Sequence, residues 1–82
     1  MALFYITFDL AQHKDYPKLW SRLEEYQAKR VLLTVWAPKG KCTSMELRDD
    51  LSQYVDQNVR LLVVESKKAA WFGPLLFDPK EI

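Results

Sequence analysis

Three segments of the chain alternate in the manner of β-strands, and each is apolar on both of its alternating faces. They are residues 3–8, 30–38 and 60–66. Successive side chains of a strand point to opposite sides, so a strand that is apolar on both sides lies inside a sheet whose two faces are covered. We therefore predict a central sheet with little surface left for water.

The segments between these strands have helical periodicity. In the first, Asp15 has the chemistry of a helix N-cap and Pro17 suits the first turn, where a missing N–H is harmless. In the second, Thr43 and Glu46 have the spacing of a capping box. The buried stripes of the two helices are Tyr16, Leu19, Trp20, Leu23 and Tyr26, and Leu47, Leu51, Tyr54 and Val55.

Turn residues complete the predicted order of elements. Pro38 and Gly40 predict a turn after the second strand, and a short third strand is expected at Lys41 and Cys42. The order β-α-β-β-α-β is the split βαβ pattern of a ferredoxin-like α+β fold, an antiparallel sheet with two helices on one face. One such domain accounts for residues 1–82, with residues 69–82 as a C-terminal strand or arm.

The sheet face away from the helices carries the first functional signal. The alternation places Tyr5, Leu32, Thr34 and Trp36 there, with alternate residues of 61–64, and it places Val35 on the helix side. The first set is too apolar to stand bare in water. A second subunit, a ligand or residues 71–77 are the candidates to cover it. A homodimer is the expected partner arrangement. The interface residues predicted on this basis are Tyr5, Leu32, Trp36, Trp71 and Phe72.

Composition narrows the function classes. Twelve Lys and Arg against eleven Asp and Glu give a net charge of +1, which exerts no strong pull on nucleic acid. The single cysteine, Cys42, cannot form an internal disulfide and fits a reducing compartment. The N-terminal residues lack the pattern of a signal peptide, and no apolar run approaches the ~20 residues of a membrane span. We expect a cytoplasmic protein without membrane contact and without a small-molecule cofactor.

Asp9 is the main candidate for chemistry, because it ends a core strand where binding loops often begin. One carboxylate is a poor metal site, but a two-fold dimer could bring two copies of Asp9 together around Mg²⁺ or Mn²⁺. The alternative is that Asp9 accepts hydrogen bonds from loop amides in an Asx-turn. His13 in the same loop could act as a general acid or base, or could simply be solvated.

Two features admit nucleic acid as a partner. Tyr5 and Trp36 could stack bases if they stand on an open sheet face, although the RNP1 pattern of RNA-recognition modules is absent. Lys67 and Lys68 could meet phosphate, as could Lys39 and Lys41. Burial of the aromatics and simple solvation of the lysines are the alternatives.

Several short stretches are similar to a known superfamily in order and spacing. They are residues 9–10, 15–19, 34–36, 45–49, 58–65 and 69–73. Together they resemble the SinR-like offshoot of the small ferredoxin-fold CRISPR-associated adaptation proteins. The resemblance implies a nuclease-like homodimer in which strand-end aspartates hold a divalent metal for phosphodiester cleavage, and Asp9 is the matching position. The alternative function is a non-catalytic dimeric protein-interaction module.

Overall fold

The sheet is built around β1 (Ala2–Asp9), which pairs with three other strands. The computed structural model describes residues 1–9, 16–56 and 59–82. On one side β1 pairs with β5 (Arg60–Glu65) over six consecutive residue pairs, from Phe4 with Glu65 to Asp9 with Arg60. On its other side it pairs with β3 (Val35–Ala37) and with β4 (Lys39–Gly40). All of these pairings are antiparallel.

β3 and β4 lie in one register along β1 and are separated only by Pro38. Proline has no N–H to give to a sheet ladder, but its carbonyl accepts a hydrogen bond of 3.0 Å from the backbone N–H of Phe4. β2 (Lys29–Leu32) pairs with β3 and completes the sheet. The spatial order is therefore β2, then β3 with β4, then β1, then β5. The predicted ferredoxin-like α+β fold is confirmed.

Both helices contribute to a core on one face of the sheet. α1 (Pro17–Glu25) buries Leu19 and Leu23, and α2 (Ser44–Leu51) buries Leu47 and Leu51. A 3₁₀ turn at Ser52–Tyr54 extends α2. The strand side chains in this core are those of alternate β1 residues: Phe4, Ile6 and Phe8.

The N-terminal cap predicted from the sequence is confirmed at α2, whereas α1 begins without a side-chain cap. At α2 the capping box is confirmed: the Thr43 hydroxyl accepts from the Glu46 N–H at 3.1 Å, and the Glu46 carboxylate accepts from the Thr43 N–H at 2.9 Å. At α1 the N-cap position is Tyr16, which makes no side-chain cap, and Pro17 follows it as expected. The predicted cap Asp15 lies outside the described residues.

The prediction of one strand over residues 30–38 is wrong, because a hairpin lies within it. Leu33 and Thr34 form the turn, and the Arg30 guanidinium donates to the Leu33 carbonyl at 2.9 Å across it. Neither turn residue is a typical turn former, so the apolar run conceals the reversal. The turn predicted from Pro38 and Gly40 is absent, because the chain continues along β1 with strand on both sides of Pro38. Lys41 and Cys42, the predicted third strand, lie in a bend.

Residues 66–82, which we call the arm, follow β5 and return to the far side of the sheet. The Ser66 N–H donates to the Leu3 carbonyl at 2.8 Å, and the Leu76 N–H donates to the Val31 carbonyl at 3.0 Å. The arm ends in a 3₁₀ turn at Pro79–Glu81, capped by the Asp78 carboxylate, which accepts from the Lys80 N–H. It therefore covers part of the face opposite the helices, beside Leu3 and Tyr5, and occupies part of the outer edge of β2.

Arg22, Tyr26 and Asp50 link the helices. The Arg22 Nε–H donates to Asp50 at 2.8 Å, and the Tyr26 hydroxyl donates to the same carboxylate. Burial and then the hydrogen bond to Asp50 raise the pKa of Tyr26 to about 12. Burial acts to raise the pKa of Asp50, but the hydrogen bonds from Arg22 and Tyr26 outweigh it, so that pKa lies below its ordinary value.

We expect Asp50→Asn to lower the midpoint of thermal unfolding at pH 7 by roughly 4–8 °C, because it removes the charged acceptor between the helices. A lowered folded-state pKa stabilises the protein above the unfolded-state pKa, near 3.9, and that stabilisation is lost as the pH falls toward the folded-state value. The deficit should therefore shrink at pH 3. The control is Asp49→Asn, an exposed neighbour on the same helix. An equal deficit at both pH values would contradict a charge effect.

Candidate functional site

The register aligns one side chain from each of β2, β3, β1 and β5 in a row across the sheet, on the face opposite the helices. Leu32 pairs with Val35, Val35 pairs with Thr7, and Thr7 pairs with Leu62. Paired residues of antiparallel strands point to the same side, so these four form a continuous line. We call Leu32, Val35, Thr7 and Leu62 the exposed row.

Three of the four side chains of the exposed row are aliphatic, and the two at its ends are open to solvent. Leu32 is 49% exposed and Leu62 is 57% exposed, whereas the β1 side chains on the helix side are almost completely buried. Val64, two residues beyond Leu62 on the same face, is 47% exposed. Single exposed apolar residues are ordinary on protein surfaces, but a contiguous group on one face marks a binding surface.

Asp9 stands at the end of β1, next to the exposed row and on the same face. Its cross-strand neighbour is Arg60, and the carboxylate and guanidinium are 3.2 Å apart. The Asp9 side chain is 72% exposed and that of Arg60 is 86% exposed. The alternative prediction, that Asp9 accepts hydrogen bonds from loop amides, involves residues 10–15. These residues, which include His13, lie outside the described part of the chain.

The described residues of one chain do not provide a divalent-metal centre around Asp9. Within residues 1–9, 16–56 and 59–82, no group of three or more His, Cys, Asp or Glu side chains could hold a metal ion. Mg²⁺ needs near-octahedral oxygen ligands, and the nearest charged neighbour that the structure gives Asp9 is the cation Arg60. Among the described residues of one copy, the donors around Asp9 therefore do not fit Mg²⁺ or Mn²⁺.

The predicted interface residues separate into two groups. Tyr5 and Leu32 lie on the face opposite the helices, as expected, since they share it with Val64 and Leu62. The Tyr5 hydroxyl is buried and has no hydrogen-bond partner within the described part of the chain. On the arm, Trp71 is 40% exposed and Phe72 is fully exposed.

The prediction that Trp36 lies on the face opposite the helices is wrong. Trp36 pairs with Ile6, which points into the core, so it lies on the helix side and not with Tyr5. There its ring stacks on Trp20 at a centroid distance of 5.7 Å, and the Arg30 guanidinium lies 5.4 Å from its centroid. The unrecognised hairpin turn explains the error, because it resets the alternation that placed Trp36 with Leu32.

Two members of the surface were not foreseen. Val35 was expected on the helix side, for the same reason that Trp36 was misplaced. Arg60 gave no signal in the sequence, because its proximity to Asp9 depends on the register between β1 and β5. The alternation of residues 60–66 did correctly indicate that Leu62 and Val64 share a face.

Comparison with known proteins adds no family to this picture. No protein-family model matches the chain, and no solved structure matches it significantly. Among the described helices, none is long and apolar enough to cross a membrane. The resemblance to CRISPR-associated adaptation proteins and the cytoplasmic location stay predictions.

We expect the Asp9–Arg60 pair to contribute little to folding, since both side chains are largely solvated. Arg60→Gln should change the free energy of unfolding by less than about 0.5 kcal/mol, measured by urea denaturation at pH 7. Arg22→Gln, which removes a less exposed guanidinium with two carboxylate partners, is the comparison and should cost more. An equal loss in the two variants would mean that Asp9 is held in place for structural reasons.

Proposed function

We propose that this protein is a non-catalytic dimeric interaction module and that the exposed row binds a second copy of the chain. The observation that carries the proposal is the continuous line Leu32, Val35, Thr7 and Leu62, three of them aliphatic, with the outer members about half exposed. Burying one large aliphatic side chain is worth about 1.5–3 kcal/mol relative to leaving it in water. The arm covers the neighbouring part of this face and leaves the row for a partner.

Charge favours a second copy as the partner. Asp9 and Arg60 stand together at one end of the exposed row, with opposite charges. In a two-fold interface each surface meets its own copy, so an acidic and a basic residue on one patch can pair with their counterparts. A stable dimer buries about 1,200–2,000 Å² in total, so the exposed row would form its apolar centre and the charged pair its rim.

Leu62→Asp should weaken self-association by about tenfold or more, because it would bury a carboxylate within the apolar part of the interface. Sedimentation equilibrium over a range of protein concentrations measures the effect. Ser21→Asp adds the same charge on exposed α1, on the opposite side of the sheet, and should leave association unchanged. Leu32→Asp tests the other end of the row.

Leu32 and Leu62 are about half exposed, so the substitutions should preserve the fold, which circular dichroism checks. A wild-type protein that stays monomeric at every concentration would contradict the proposal. Dimers of unchanged affinity in both leucine variants would contradict it equally.

A metal-dependent phosphodiesterase acting on nucleic acid is the second candidate. What favours it is that Asp9 is exposed on the same face as the row, so a two-fold contact there would carry Asp9 of both copies to its rim. Two carboxylates from two chains could supply ligands that the described residues of one chain lack. The Asp9–Arg60 ion pair argues against this function, because Arg60 would have to move away from the Asp9 carboxylate before a metal ion could bind there.

We expect wild-type protein and Asp9→Asn to show no difference in cleavage of single- or double-stranded RNA or DNA with Mg²⁺ or Mn²⁺. This result follows from the proposed non-catalytic interaction module, in which Asp9 lies only at the rim of the interface. Asp49→Asn, an exposed carboxylate on α2, is the matched control. Cleavage that disappears in Asp9→Asn alone, with the dimer intact, would replace the module by the nuclease.

A further inference from the structure

A cleft lies between the arm and the N-terminal half of β1, at the opposite end of the sheet face from Asp9. Its volume is about 470 Å³, within the range of small-molecule sites. Leu3 and Tyr5 of β1 form one wall, and Trp71 with Pro79 of the arm forms another. The cleft is thus made by two parts of the chain far apart in sequence.

The net charge of the side chains that line this cleft is positive. Lys67, Lys68 and Lys80 line it against a single carboxylate, that of Glu65. Glu65 is paired with Lys67 at 3.2 Å. Within the described part of the chain, Lys68 and Lys80 form no ion pair. Two ammonium groups are therefore left to attract an anion into the cleft.

An aromatic surface lies beside these charges. Trp71 is 40% exposed, and the Lys80 Nζ is 5.9 Å from the centroid of its ring. An exposed indole next to an ammonium group offers a stacking surface and a phosphate contact within one ligand's length. Base stacking on aromatic side chains is tolerant of sequence because every base has a π-face.

We propose that this cleft binds a nucleotide, with the base against Trp71 and the phosphate held by Lys68 and Lys80. The ligand is either a free nucleotide or one unit of a single strand, since both present the same base and phosphate. Inorganic anions lack the ring, and uncharged aromatic compounds lack the charge. The site is separate from the exposed row and does not depend on dimer formation.

The test is an NMR titration of ¹⁵N-labelled protein with AMP, with inorganic phosphate and with a twelve-nucleotide single strand. AMP should shift the Trp71 indole signal and the amides of the cleft, and should bind about tenfold more tightly than phosphate, because stacking adds to the charge contact. Tighter binding of the strand at the same signals would indicate a strand unit, and equal binding a free nucleotide. Either result supports the site.

Lys80→Ala and Lys68→Ala should each weaken AMP binding several-fold, and Lys18→Ala, an exposed lysine on α1 outside the cleft, should not. Trp71→Leu should remove the preference for AMP over phosphate while leaving phosphate binding in place. The signal dispersion of each spectrum reports that the variant is folded. Equal affinity for AMP and phosphate, shifts confined to other surfaces, or no shift at millimolar AMP would each overturn the proposal.

Discussion

Pairing along both edges of β1 is the constraint on which the rest of the molecule depends. The backbone hydrogen-bonding groups on one edge of β1 pair with β5, and those on the other edge pair with β3 and β4, on either side of Pro38. The side chains of a central strand point alternately to the two faces of the sheet, so each face needs its own covering layer. The helices bury one face through Phe4, Ile6 and Phe8, while the other is divided between the arm and the exposed row.

The fold class could be read from the sequence because its strongest signals are local. The capping box at Thr43 and Glu46 and the helical stripes depend on residues a few positions apart, and both helices lie where these signals put them. The hairpin within residues 30–38 had no such signal. Leu33 and Thr34 reverse the chain without glycine, proline or asparagine, so the turn is imposed by the pairing of β3 with β1.

That one turn explains most of what was missed at the surface. A change of one residue in register moves every later side chain to the other face, so Trp36 and Val35 exchanged the faces expected of them. β1 and β5 contain no hidden turn, and there the alternation placed Tyr5 correctly and gave one alternate pair of residues 61–64 to the same face, which the pairing shows to be Leu62 and Val64. The proximity of Asp9 to Arg60, and the cleft under the arm, arise from contacts between distant segments and have no counterpart in local pattern.

The two outer edges of the sheet are unequal. At β2 the register is irregular between Arg30 and Leu32, and the arm occupies part of the edge through the Leu76 hydrogen bond. β5 pairs with β1 on one side, and in the described part of the chain no strand lies beyond it. An edge strand with unpaired backbone groups can pair with the edge of another copy, and repeated pairing of this kind builds fibres. The Leu76 hydrogen bond occupies the Val31 carbonyl, so the β2 edge offers fewer open backbone groups to another copy.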